Sequence, residues 1–143
     1  MSNSELQEVR RREIINRIRN CITVDDVIAA VFSFLRKEEI PLDTQKIHSA
    51  FFEIKKKYPG LLNEVIFSAN DVYPYSRELE KALFRLGASE LISWINPDFK
   101  VLKISEKSKK FIHEKILPLF DSIQQETLKK MGELFEQLIL DRL

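Results

Sequence analysis

Between Tyr73 and Ile104 a short amphipathic helix is followed at once by two β-rich runs, and that order constrains the fold more than any other stretch of the chain. At about 3.6 residues per turn, Leu79, Ala82, Leu83 and Leu86 fall in one arc. Arg77, Lys81 and Arg85 recur at every fourth position on the far side, with Phe84 among them. One face packs and the other presents bases. Ser76 suits the N-cap, because its hydroxyl accepts from amides of the first turn, and Glu78 and Glu80 sit at the positive end of the helix dipole. Pro74 removes a donor and pushes Val72-Tyr73 toward extended geometry, so the helix is entered from a stiff turn. Gly87 is the expected stop.

Leu91 to Ile95 is rich in β-formers, Asn96-Pro97-Asp98 supplies turn chemistry, and Phe99 to Ile104 returns as the partner strand. Alternation puts Lys100, Leu102 and Ile104 on one face and Val101 and Lys103 on the other, so the sheet packs on one side. Trp94 either anchors this hairpin to the core, the commoner role, or stands out from it. A base-presenting helix followed by a hairpin reads as the recognition helix and wing of a winged helix-turn-helix. The expected fold is mainly α with a small β-hairpin (α+β): a winged-helix core with flanking N- and C-terminal helices.

Two motifs carry a family resemblance over residues 43 to 112. They are the helix start Pro74-Tyr75-Ser76-Arg77-Glu78-Leu79 and the step Ile104-Ser105-Glu106-Lys107-Ser108 after the second wing strand. In these the chain resembles small prokaryotic winged helix-turn-helix proteins, mostly uncharacterised, with a Gly-Pro-Tyr/Phe-Ser-x-Glu-Leu helix start and a Leu-Thr-x-x-Gly step. The resemblance implies the fold and nucleic-acid binding. Tyr73 and Ser108 stand where the family has glycine, so the turns at those points differ from the family pattern.

The remaining elements follow from caps and periodicity. Residues 1–22 form a basic amphipathic helix, with Leu6, Val9, Ile14, Ile15 and Ile18 on its apolar side. We read Arg10, Arg11, Arg12, Arg17 and Arg19 as a solvated face beside Glu5, Glu8 and Glu13, with phosphate contact as the functional alternative. Thr23 to Asp26 has capping-box spacing ahead of a buried helix through Leu35, closed by Lys37-Glu38-Glu39 and Pro41. Asp43-Thr44 opens the next helix, whose stripe is Ile47, Ala50, Phe51 and Ile54 and whose end is Lys55-Lys56-Lys57. Leu61 to Val72 is ambiguous between a short strand and a helical turn, and we expect an irregular or extended segment there. Residues 23–117 make the winged-helix domain. After Pro118, residues 118–143 form a long helix with Phe120, Ile123, Leu128, Met131, Leu134, Phe135, Leu138 and Ile139 at threes and fours. So much apolar surface must be covered, by its own domain or by a second chain. We expect a homodimer through this helix.

Composition narrows function by exclusion. The 143 residues are 44% hydrophobic with net charge +1, enough for one core and no global case for polyanion binding. Charge is uneven, however: six lysines face two acids from Phe99 to Phe120, whereas five acids outweigh three bases from Asp121 onward. No apolar run is long enough for a membrane span and the start lacks a signal-peptide profile, so a cytoplasmic protein is expected. A single cysteine, Cys21, excludes an intramolecular disulfide, and His48 and His113 have no ligand-spaced partner, so no metal, cofactor or catalytic residue is assigned. With three glycines and no recognised catalytic motif, an enzyme is not expected. Two readings remain. In the first, a homodimer binds double-stranded DNA, with Arg77, Lys81 and Arg85 in the major groove and Lys100 and Lys103 on phosphate, as a transcriptional regulator would. In the second, the winged helix is a protein-interaction module and exposed Phe84 meets the partner, a reading to which Glu78 and Glu80 lend weight because they oppose phosphate.

Overall fold

Thr23 and Asp26 form the capping box that the spacing predicts: the Thr23 hydroxyl accepts from the Asp26 amide at 3.2 Å, and the Asp26 carboxylate accepts from the Thr23 amide at 3.1 Å. From this start in the computed structural model, helix α1 (Val24–Ser33) buries every residue from Val27 to Ser33. A helix apolar all round must be packed on all sides. The structure describes residues 3–10, 22–41, 43–68, 72–94 and 101–140. Residues 3–10 are helical and exposed; Arg11, Arg12, Arg17, Arg19, Cys21, Lys100 and the Asn96-Pro97-Asp98 turn lie outside the described residues.

After α1 come strand β1 (Glu39–Pro41), helix α2 (Thr44–Lys57), helix α3 (Arg77–Ala88), strands β2 (Ser93–Trp94) and β3 (Val101–Lys103), and helices α4 (Glu106–Lys115) and α5 (Ser122–Leu140). The strands form one antiparallel sheet in the order β1-β3-β2, with Ile40 and Trp94 both opposite Leu102. The protein is thus mainly helical with a small three-stranded sheet, in the element order of a winged helix. Leu102 and Ile104 are buried as the alternation predicts, and Trp94 is half-buried against the core, which is the anchoring role.

The third strand is not in the ambiguous stretch. Gly60–Leu62 makes a 3-10 turn, and among the described residues of the stretch only Ser68 pairs, as an isolated bridge to Tyr75. The strand is Glu39–Pro41, which the sequence reading assigned to the close of the preceding helix. Pro41 lacks an N–H and is tolerated because β1 is an edge strand.

Helix α3 also ends later than expected. It runs through Gly87 to Ala88 and closes on a Schellman motif, in which the Glu90 amide donates to the Gly87 carbonyl and the Leu91 amide to the Leu86 carbonyl, both at 3.1 Å. Glu90 therefore takes the left-handed conformation, φ 65°, at the position glycine normally fills.

The long C-terminal stripe packs within its own chain. Leu128, Met131, Phe135 and Ile139 are buried, and the Phe135 ring lies 5.5 Å from Phe32 of α1 and 5.3 Å from Phe51 of α2. Helix α5 is part of the core rather than an appended element. The expectation of self-association rested on this stripe; most of it is covered within the chain, and Ile123 is left 78% exposed. Gly132 permits the approach, since a Cβ there would lie 2.8 Å from Phe34 Cβ and 2.9 Å from the Val31 carbonyl oxygen. One turn on, Glu136 accepts from the Arg36 amide at 2.9 Å, tying α5 to the exit of α1.

Two substitutions test these helix ends. Gly132→Ala forces α5 away from α1 and is expected to lower stability by about 1–3 kcal/mol. Glu90→Gly relieves a left-handed non-glycine residue and is expected to raise stability by about 1 kcal/mol. Urea melts of the two variants check both signs.

Candidate nucleic-acid interface

The N-terminus of α3 is set by a buried histidine. Ser76 caps the helix as expected, its hydroxyl accepting from the Leu79 amide at 3.3 Å. The Ser76 amide in turn donates to His48 Nδ1 at 3.1 Å, so that nitrogen carries no proton. The proton is on Nε2, which donates to Glu80 Oε2 at 2.8 Å. His48 is fully buried in α2, and the Tyr75 ring stacks on it at 4.8 Å. One imidazole thus joins α2, the turn before α3 and the first turn of α3. The sequence reading found no ligand-spaced partner for His48, and its actual partners, 28 and 32 residues away, left no local signal.

The buried arc of α3 is the predicted one: Leu79, Ala82, Leu83 and Leu86. Opposite it, Arg77, Lys81, Phe84 and Ala88 are exposed, Phe84 to 77% of its surface. Among the described residues Arg77 and Lys81 have no ion-pair partner. The helix's other charges are engaged internally. Glu78 accepts from the Ile66 amide at 2.9 Å, and Glu80 holds His48. The two carboxylates that weighed against phosphate binding are committed to amide and imidazole donors on the flanks.

Arg85 does not stand with Arg77 and Lys81. Its guanidinium grips Asp25 of α1 through both carboxylate oxygens at 2.6 Å, from Nε and Nη2. These hydrogen bonds, with the carboxylate's charge, raise its pKa above the ordinary arginine value. Every-fourth spacing drifts about 40° per step around a helix, so Arg85 has rotated from the outer strip toward α1.

The wing is only partly described. Lys103 lies on the outward side of β3, half-buried, with Glu39 of β1 directly across from it. Lys100 lies outside the described residues. The Lys55-Lys56-Lys57 run is engaged locally: Lys55 donates to the Val65 carbonyl at 2.6 Å, Lys56 sits over the Phe52 ring, and Lys57 sits over Tyr58. No helix among the described residues is long and apolar enough to cross a membrane. No protein-family model, curated protein or solved structure significantly matches the chain.

The histidine link makes a separable prediction. His48→Leu strands the Ser76 amide and the Glu80 carboxylate, and should cost about 1–3 kcal/mol with faster exchange of the Ser76 amide proton. Glu80→Gln keeps an acceptor for Nε2 and should cost less. Hydrogen exchange followed by NMR distinguishes the two.

Proposed function

We propose that this protein binds duplex DNA, with α3 in the major groove. The observation that carries the reading is the outer strip of α3, where the two cations with no ion-pair partner, Arg77 and Lys81, lie in the N-terminal half and are followed by Phe84 and Ala88. Recognition helices address base edges chiefly from their N-terminal residues. Arginine and lysine suit the O6 and N7 acceptors of guanine, and phenylalanine and alanine suit the thymine methyl group. Glu78 and Glu80 are held on the flanks of α3 by the Ile66 amide and His48, off the outer strip that carries Arg77 and Lys81. Lys103, and Lys100 in the wing, are the backbone cations of this reading. Arg85 is assigned to the α1–α3 joint instead. The resemblance to prokaryotic winged-helix proteins points the same way, toward a regulator of transcription.

The exposed ring of Phe84 also supports a second reading, a protein partner in place of DNA. The two readings separate by salt. Fluorescence anisotropy with random duplex, then a selected site, at several salt concentrations should give binding that weakens as salt rises. Arg77→Ala and Lys81→Ala together should abolish site preference, each base contact being worth about 1–3 kcal/mol. Lys103→Ala should lower the salt slope by about one while leaving preference intact. Arg85→Ala should leave preference unchanged. No binding to duplex at low salt, or full binding by the Arg77, Lys81 double variant, overturns the DNA reading and leaves the protein partner.

A further inference from the structure

Between the C-terminal half of α3 and strand β2 the surface opens into a cleft of about 790 Å³. Leu83 and Ile92 floor it, Phe84 and Trp94 wall it, and Glu80 and Glu90 stand at it as carboxylates. No lysine, arginine or histidine occurs among its described lining residues. The volume lies in the range of small-molecule sites, and the lining is apolar and aromatic with few charges, all of one sign.

Two residues of the lining are locally misplaced. Gly87 occupies the last turn of α3, where glycine gives up backbone entropy for no packing, and a Cβ built there meets nothing within 4 Å. Glu90 occupies the left-handed position of the Schellman motif, where glycine is the ordinary choice. Exchanging the two residue types would suit the backbone better at both positions. The arrangement present instead leaves open volume at 87 and sets a carboxylate at 90, and both positions line the same cleft. Local rules broken together at one place mark a functional site more often than an accident.

We propose that this cleft binds a small lipophilic organic cation, and that its occupancy weakens DNA binding. Aromatic faces attract a cation through their quadrupoles, tryptophan most strongly, and the two carboxylates supply the counter-charge. The Glu80 side chain, 45% exposed, accepts from His48 through Oε2. An anion of the same shape meets two carboxylates and, among the described lining residues, no cation. The second half of the proposal rests on the DNA reading, since Phe84 belongs both to the outer strip of α3 and to the cleft wall.

Trp94 is the only tryptophan of the chain, so its emission reports the cleft directly. The probes are tetraphenylphosphonium and tetraphenylborate, nearly identical in size and opposite in charge, titrated into the full chain with excitation of tryptophan alone. The phosphonium should change Trp94 emission saturably, and the borate should bind at least about tenfold more weakly. Glu90→Gln should weaken the phosphonium about three- to tenfold without changing the urea midpoint. Gly87→Leu should fill the cleft and abolish the response. In the anisotropy assay the phosphonium should release labelled duplex from the wild-type protein, and Glu90→Gln, which retains DNA binding, should need about three- to tenfold more of it. Equal affinity for the two ions, or an unchanged response in Gly87→Leu, overturns the cation site. Phosphonium binding without release of bound duplex overturns the antagonism. A wild-type protein that never binds duplex overturns the DNA reading alone, and the emission titration still judges the cleft.

Discussion

Burial of α1 on every side is the constraint on which the rest of the molecule depends. Helices α3, α4 and α5 all pack against it. Such a helix has no solvent side on which to leave a polar group, so its one buried hydroxyl must be satisfied in place. Ser33 donates to the Ala30 carbonyl at 2.6 Å and meets His113 Nε2 at 3.1 Å. Leaving that hydroxyl unpaired would cost about 1–3 kcal/mol. With α1 as the axle, the Phe32–Phe51–Phe135 cluster fixes α2 and α5 around it, and the Asp25–Arg85 pair fixes the flank of α3.

This frame decides which charges of α3 are available to a partner. A helix surrounded on three sides brings its flanking residues within reach of neighbours, and only the outermost strip escapes them. Glu78, Glu80 and Arg85 lie on the flanks and each finds a partner on another segment. Arg77 and Lys81 lie on the strip. The availability of a base on this helix is therefore a property of its angular position relative to α1 and α2. The chain's net charge of +1 conceals a local strip on which two cations are exposed, while the Glu78 and Glu80 carboxylates beside it are turned to the Ile66 amide and His48.

Features that depend on neighbours in sequence were legible in the sequence. The Ser76 cap, the Thr23 capping box, the Leu79–Leu86 arc and the exposure of Phe84 all follow from spacing within one helix. Features created by distant partners were not. Strand β1 is three residues long, too short for any period, and exists because Ile40 and Glu39 pair with β3 some sixty residues on. The apolar stripe of α5 announced that it would be covered, but its periodicity is the same whether Phe32 and Phe51 or a second chain does the covering. The carboxylate that claims Arg85 is Asp25, which sits inside the Thr23–Asp26 capping box and carried no reading of its own. Glu90 is the instructive miss: Gly87 drew the helix stop to itself because glycine usually marks it, and the true left-handed residue was the glutamate three positions later.

That misplacement also ties the cleft to the proposed DNA surface. Phe84 cannot both lie against a thymine methyl group and pack against a ligand in the cleft without one contact weakening the other. Linkage then requires symmetry: whatever factor a bound cation takes from DNA affinity, bound DNA takes from cation affinity. A single shared ring sets the scale, about 1–3 kcal/mol in coupling, or roughly five- to 150-fold in either affinity. No movement of the fold is needed for this. The two proposed sites share Phe84, and competition for one side chain is sufficient to couple them.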